Sequence, residues 1–131
     1  AFFRAAQDNE TMHVVVISQL AKKYKQTGFV RFTLLPVLFA FFYFWIIYAL
    51  YFIHRRTVYE INVLFEDHAF HQYDEFLRNH QKLLTERLIE SSFLGFYGRS
   101  AHTEYDLFAS IRNDELIHRN RSYTLCEECR V

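Results

Sequence analysis

The chain has 131 residues, 15 Lys+Arg against 15 Asp+Glu, 51% hydrophobic residues and 19% aromatics. That length holds one domain with its own core, and a formal charge of zero excludes bulk electrostatic binding to nucleic acid. Three glycines, one proline and a single pair of cysteines, Cys126 and Cys129, exclude a many-stranded β protein, a disordered linker and a disulfide-stapled secreted scaffold.

Helical periodicity runs through the chain, and nothing alternates with a sustained period of two. The first predicted helix covers residues 2–25 and stops at Gln26-Thr27-Gly28, a C-terminal cap. The second is an uncharged run of 22 residues that opens at Phe32 and closes at Ile53. Pro36 lies in its first turns, where a missing N–H is best tolerated. Arg55-Arg56 ends it. The third helix is expected over residues 57–79, a further segment over 83–97, and then a loop at Gly98-Arg99-Ser100. The last helix starts at Thr103 or Glu104 and fades before Cys126. The expected class is all-α. With no initiator Met and no cleavable leader, the chain is expected to begin inside a longer protein.

Three apolar stripes carry carboxylates. In the first helix Phe3, Ala6, Glu10, His13, Ile17 and Leu20 share a face at spacings of 3 and 4. The third aligns Tyr59, Val63, Glu66, Phe70, Tyr73 and Leu77; the last aligns Phe108, Ile111, Glu115, His118, Ser122 and Leu125. A buried carboxylate without a partner costs several kcal/mol or shifts its pKa until it is neutral. Three of them on facing helices also repel one another, and a cation among them is the economical remedy. Glu-x-x-His puts a carboxylate and an imidazole on one face, one turn apart, where both reach one metal. Two such motifs with further glutamates build a dinuclear iron or manganese site in a helical bundle. Oxygen and nitrogen donors suit iron, and no cysteine lies on these faces.

An uncharged run of this length normally reads as a membrane span. A lone span with water-soluble helices on either side would put Glu10 and Glu66 on opposite sides of the bilayer. In an up-down bundle, with a rise of about 1.5 Å per residue, Glu10 lies about 12 Å and Glu66 about 15 Å above the same end. That arrangement makes the apolar helix an integral member of the bundle, its spare aromatic surface facing lipid or a partner. Lys22, Lys23, Lys25 and Arg31 before it, and Arg55 and Arg56 after it, suit a protein lying in one leaflet. An ordinary transmembrane span is the alternative.

Three motifs then carry a family resemblance over nearly the whole chain. Asn9-Glu10-Thr11-Met12-His13 resembles the N-E-x-x-H motif of the membrane-bound di-iron quinol oxidases, mitochondrial alternative oxidase and its plastid relative. Ile111-Arg112-Asn113-Asp114-Glu115-Leu116-Ile117-His118 resembles the I-R-[DN]-D-E-x-x-H form. Between them, Glu66-Asp67-His68-Ala69-Phe70-His71-Gln72-Tyr73-Asp74-Glu75-Phe76 is similar to the plastid version, E-x-H-A-[YF]-x-x-Y-D-x-F.

The resemblance implies a ferritin-like up-down bundle, monotopic in an organellar membrane. The His68-Ala69 signature favours the thylakoid over the mitochondrial inner membrane. Residues 1–131 would be the C-terminal part of a single di-iron carboxylate oxidase domain. The implied activity oxidises quinol (plastoquinol or ubiquinol) and reduces O2 to water without pumping protons, with lipid along the apolar helix. The implied assembly is a homodimer or a subunit of a larger membrane complex. By position Glu10, His13, Glu66, Glu115 and His118 would ligate two irons. Tyr73 would be the redox-active tyrosine, and His68 and Ala69 would contact the quinone.

Two departures bear on this. The family's first ligand, a Glu in an L-E-[TS] motif, would lie upstream of Ala1, and the interval from Tyr73 to Glu115 is shorter than in typical plastid members. A second reading is therefore a non-catalytic, oxidase-derived structural subunit of a larger membrane complex. A third, a quinone-biosynthesis di-iron hydroxylase, fits the segment from Glu66 to Tyr73 less well. Cys126-Glu-Glu-Cys129 has zinc or redox spacing without a second pair and reads as a fraying end. His54 reads as an interfacial residue.

Overall fold

The computed structural model describes residues 2–24, 28–89 and 92–129. The expected stop at Gln26-Thr27 and the end of the first helix at Lys25 lie outside the described residues. Helix α1 covers Phe2–Lys23, α2 Leu35–Ile53, α3 Arg55–Glu86, α4 Ser92–Phe96 and α5 Glu104–Glu128. A π-helical turn, Val30–Leu34, leads directly into α2. No strand occurs among the described residues; the one extended contact is an isolated bridge between Leu88 and Thr103. The fold is all-α, a ferritin-like arrangement.

Helices α3 and α5 form the central pair. Asp67 with Arg119 (2.6 Å) and Asp74 with Arg112 (2.8 Å) make two ion pairs seven residues apart on each helix, in antiparallel register. Both guanidinium groups also lie over the ring of Phe70. Leu77 and Leu84 bury the same face of α3 two turns apart. That spacing is why α3 runs on to Glu86 instead of ending at residue 79. It kinks at His80 (φ −123°, ψ 16°) without a proline or glycine. The helix expected over 83–97 is thus divided: its first residues belong to α3, Leu88 pairs with Thr103, and only the short α4 follows.

Helix α5 is started by a capping box. Thr103 Oγ1 accepts from the Asp106 N–H (3.1 Å), and Asp106 Oδ2 accepts from the Thr103 N–H (3.0 Å). The helix persists past Cys126 to Glu128. The cysteine expected to fray is therefore buried in helix, its Sγ 3.8 Å from Glu60 Oε1. Likewise His54 caps α3, its Nδ1 accepting from the Thr57 N–H.

The apolar core gathers Met12, Val16 and Leu20 of α1, Leu94 of α4, and Leu107 and Ile111 of α5, with Tyr73 and Phe108 against its edge. Burying each such aliphatic side chain contributes about 1.5–3 kcal/mol. Phe3 and Ala6 of the expected α1 stripe have no described side chains.

The apolar helix departs from expectation. It is not an integral member of the bundle: none of its residues is buried, and among the described elements it packs laterally only on α3, with Tyr43 edge-on to Phe65 at 5.2 Å. The 24 residues Val30–Ile53 are long and apolar enough to cross a membrane, and Phe39, Phe42, Phe44, Trp45 and Phe52 all face outward. The up-down order holds, but burial of the centre falls to α1, α3, α4 and α5.

Candidate metal centre

The five residues expected as ligands converge. Glu10, His13 and Glu115 form one group, and Glu66, Glu115 and His118 another; within each, one donor atom per residue lies within 4.8 Å of the others. Glu115 belongs to both groups. Glu10 also reaches both halves, with Oε1 3.1 Å from His118 Nδ1 and Oε2 3.7 Å from His13 Nδ1. Glu115 Oε1 stands 3.4 Å from His13 Nδ1. Two carboxylates placed between two imidazoles, with a third carboxylate beside them, supply both Glu-x-x-His motifs and one of the two further glutamates that a dinuclear site in a helical bundle uses.

Burial is uneven. His13, Glu115 and His118 are buried and Glu66 is half-buried. Glu10 was expected to be buried, but 52% of its side chain is exposed, because α1 presents it at the rim of the bundle.

The electrostatics show a cluster short of positive charge. Burial works against an ionised Glu10, yet hydrogen bonds to His118 and His13 outweigh it and hold the carboxyl down at about 2. Burial likewise disfavours a charged His13, but Asp114, Glu10 and Glu115 hold its proton and push it up to about 11. Glu66 moves the opposite way from Glu10: burial, a hydrogen bond with Glu115 and the charges of Glu115 and Glu10 push it up to about 9. A proton between Glu66 and Glu115 relieves the repulsion that a metal cation would relieve more completely. The donor set is carboxylate and imidazole without sulfur, which fits iron or manganese.

Tyr73, seven residues beyond Glu66 on the same face of α3, sits against the core beside Phe108 (ring centroids 6.2 Å). Burial and the charges of Glu115 and Glu10 push its phenol up to about 12, so it holds its proton at any physiological pH. His68 is exposed and Ala69 half-buried on α3. They stand outside the two ligand groups.

Two residues that touch the site from behind escape a reading by apolar stripes. Asp114 is 3% exposed, and its Oδ2 lies 3.1 Å from His13 Nε2. This leaves Nδ1 of His13 turned toward Glu10 and Glu115. Such carboxylate–histidine pairing orients metal-binding imidazoles. Arg99 in turn grips both Asp114 oxygens at 2.8 Å, and together the two offset burial to hold that carboxyl below the usual range: His13 and Arg99 both act on it. Asp114 adjoins Glu115 in the quoted motif, so the signal was present, but it sits about 100° off the stripe.

No match was found among curated proteins or solved structures. The family model described as alternative oxidase matches residues 3–127, nearly the whole chain and all three motifs. With that match and this constellation of glutamates and histidines, the chain belongs to the alternative oxidase family, oxidoreductases built around a di-iron carboxylate centre.

Proposed function

We propose that the chain forms most of the active centre of a quinol:oxygen oxidoreductase, in which two quinols and one O2 give two quinones and two waters without proton pumping. The observation that carries this reading is the shared position of Glu115, with Glu10 touching both imidazoles. Glu10, His13, Glu66, Glu115 and His118 would hold two irons, which when bound would relay the electrons of quinol and offer open positions for O2. Glu10 and Glu115 stand between the two halves and compensate charge on both. Glu66 holds a proton at its carboxyl before metal is bound and gives it up on ligation. Tyr73 holds a proton on its phenol and is placed to give up an electron with that proton. His68 and Ala69, beside Glu66 on α3, are proposed to meet the quinol. The plastid-type segment at residues 66–76 supports plastoquinol at the thylakoid. The outward aromatic face of α2 supports attachment to one leaflet.

Iron content and quinol-dependent O2 uptake of the full-length, membrane-embedded protein test this together. Two irons per chain with duroquinol-driven O2 uptake are expected, and Tyr73→Phe is expected to keep the iron and lose turnover. A protein that takes up no iron, or that holds iron and consumes no O2 with any quinol, would leave the structural-subunit reading in its place.

A further inference from the structure

The loop between α4 and α5 delivers one side chain into the polar layer behind the centre. Helix α4 ends in a Schellman-type turn: the Arg99 N–H reaches the Leu94 carbonyl (2.8 Å) and the Gly98 N–H reaches the Gly95 carbonyl (3.1 Å). Gly98 takes the left-handed position at φ +66°, which a side chain would strain. The turn aims Arg99 inward. Its Nη2 donates to both oxygens of Asp114 at 2.8 Å and to Asn9 Oδ1 at 3.1 Å, and Nη1 donates to Ser110 Oγ at 3.1 Å.

The two partners have corresponding places in sequence. Asn9 immediately precedes Glu10 in the α1 motif, and Asp114 immediately precedes Glu115 in the α5 motif. One guanidinium thus holds the residue before the glutamate of each Glu-x-x-His. Asp114 passes the constraint to the Nε2 of His13. We infer that Arg99 is a positioning residue for the metal centre, clamping Asn9 and Asp114 so that the two motifs keep their spacing and His13 turns Nδ1 toward the metals. This inference rests on the metal-centre reading above.

The planar fork of arginine is what the role requires. A guanidinium donates along fixed directions to a carboxylate and to neighbours on either side, whereas a lysine ammonium is a point charge on a flexible stem. Arg99→Lys therefore separates position from charge.

The test uses the full-length protein stripped of metal and titrated with Co2+ alone, read by stoichiometry and by the visible spectrum, with thermal melting before metal is added. The wild type is expected to bind two Co2+. Arg99→Lys is expected to melt like the wild type while one of the two ions binds about 10–100-fold more weakly, with a changed spectrum. Asn9→Ala, which releases only the α1 end of the clamp, is expected to weaken the same ion by less. Arg99→Met is the harsher variant; should it fail to fold, Arg99→Lys still decides. An Arg99→Lys protein with both affinities and the spectrum of the wild type would overturn the inference, as would one that loses melting temperature alone. A wild type that takes up no Co2+ would overturn the metal-centre reading itself, and this inference with it.

Discussion

Helices α1 and α5 carry the same four-residue motif with its glutamate in different surroundings. In α5, Glu115 and His118 are buried against α3 and framed by the ion pairs of Arg112 and Arg119. In α1, Met12 and His13 are buried as well, but Glu10 sits half-exposed at the rim, and polar contacts add to the packing there: His118 on Glu10, Asp114 on His13, Arg99 on Asn9. Packing buries both motif residues of the α5 half, while in the α1 half it buries His13 and leaves Glu10 to groups that α5 and its preceding loop supply. A motif's spacing therefore states which groups can meet, and the surrounding contacts decide how firmly they do.

Removing the two glutamates separately has the largest expected effect. Glu115→Gln is expected to abolish binding of both metals and all O2 uptake, since both ligand groups need it. Glu10→Gln is expected to retain measurable metal, with affinity lower by roughly 10–100-fold. Elemental analysis of the two variants decides, and equal losses would erase the distinction between the halves.

A smaller effect comes from protons. Glu66 at about 9 and His13 at about 11 both hold protons at neutral pH before metal is added. Ligation needs both groups deprotonated, so loading at pH 7 is expected to release protons. Metal affinity should rise as pH rises toward 9, by up to about tenfold per pH unit for each proton released. Calorimetric titrations in two buffers of different ionisation enthalpy measure the release directly. A heat that does not depend on the buffer would contradict the shifts.

Smallest is the cap. Thr103→Ala removes one arm of the capping box that starts α5 and is expected to cost about 1 kcal/mol of stability, read by thermal melting. Metal stoichiometry should stay at the wild-type value, because the box lies three turns from Glu115.

The convergence of the candidate ligands was legible because a helix converts spacing into a shared face, and Glu10, Glu66 and Glu115 interrupted apolar stripes where carboxylates are costly. The extension of α3 was also written there, in the seven-residue step from Leu77 to Leu84, but the polar Asn79 and His80 between them resembled a stop. Asp114 and Arg99 were harder. Neither lies on a stripe, and their value depends on Asn9, distant in sequence and brought near only by the fold. Glu104 shows the same limit: it read as the first residue of a helix, yet it is 1% exposed, receives the Tyr24 hydroxyl and meets Lys23 and Arg87. The freedom of α2 was misjudged because equal heights along a bundle axis say nothing about lateral distance from it.

That freedom has a mechanical side. Apart from the π-helical turn that leads into it, helix α2 packs only on α3 among the described elements, and α3 carries Glu66, Tyr73, His68 and Ala69. A displacement of α2 is thus transmitted by packing to α3, and reaches Glu66 before it reaches Glu10 or Glu115. Glu10 and Glu115 stand on helices that α2 does not contact among the described residues, so such a displacement reaches them only through α3.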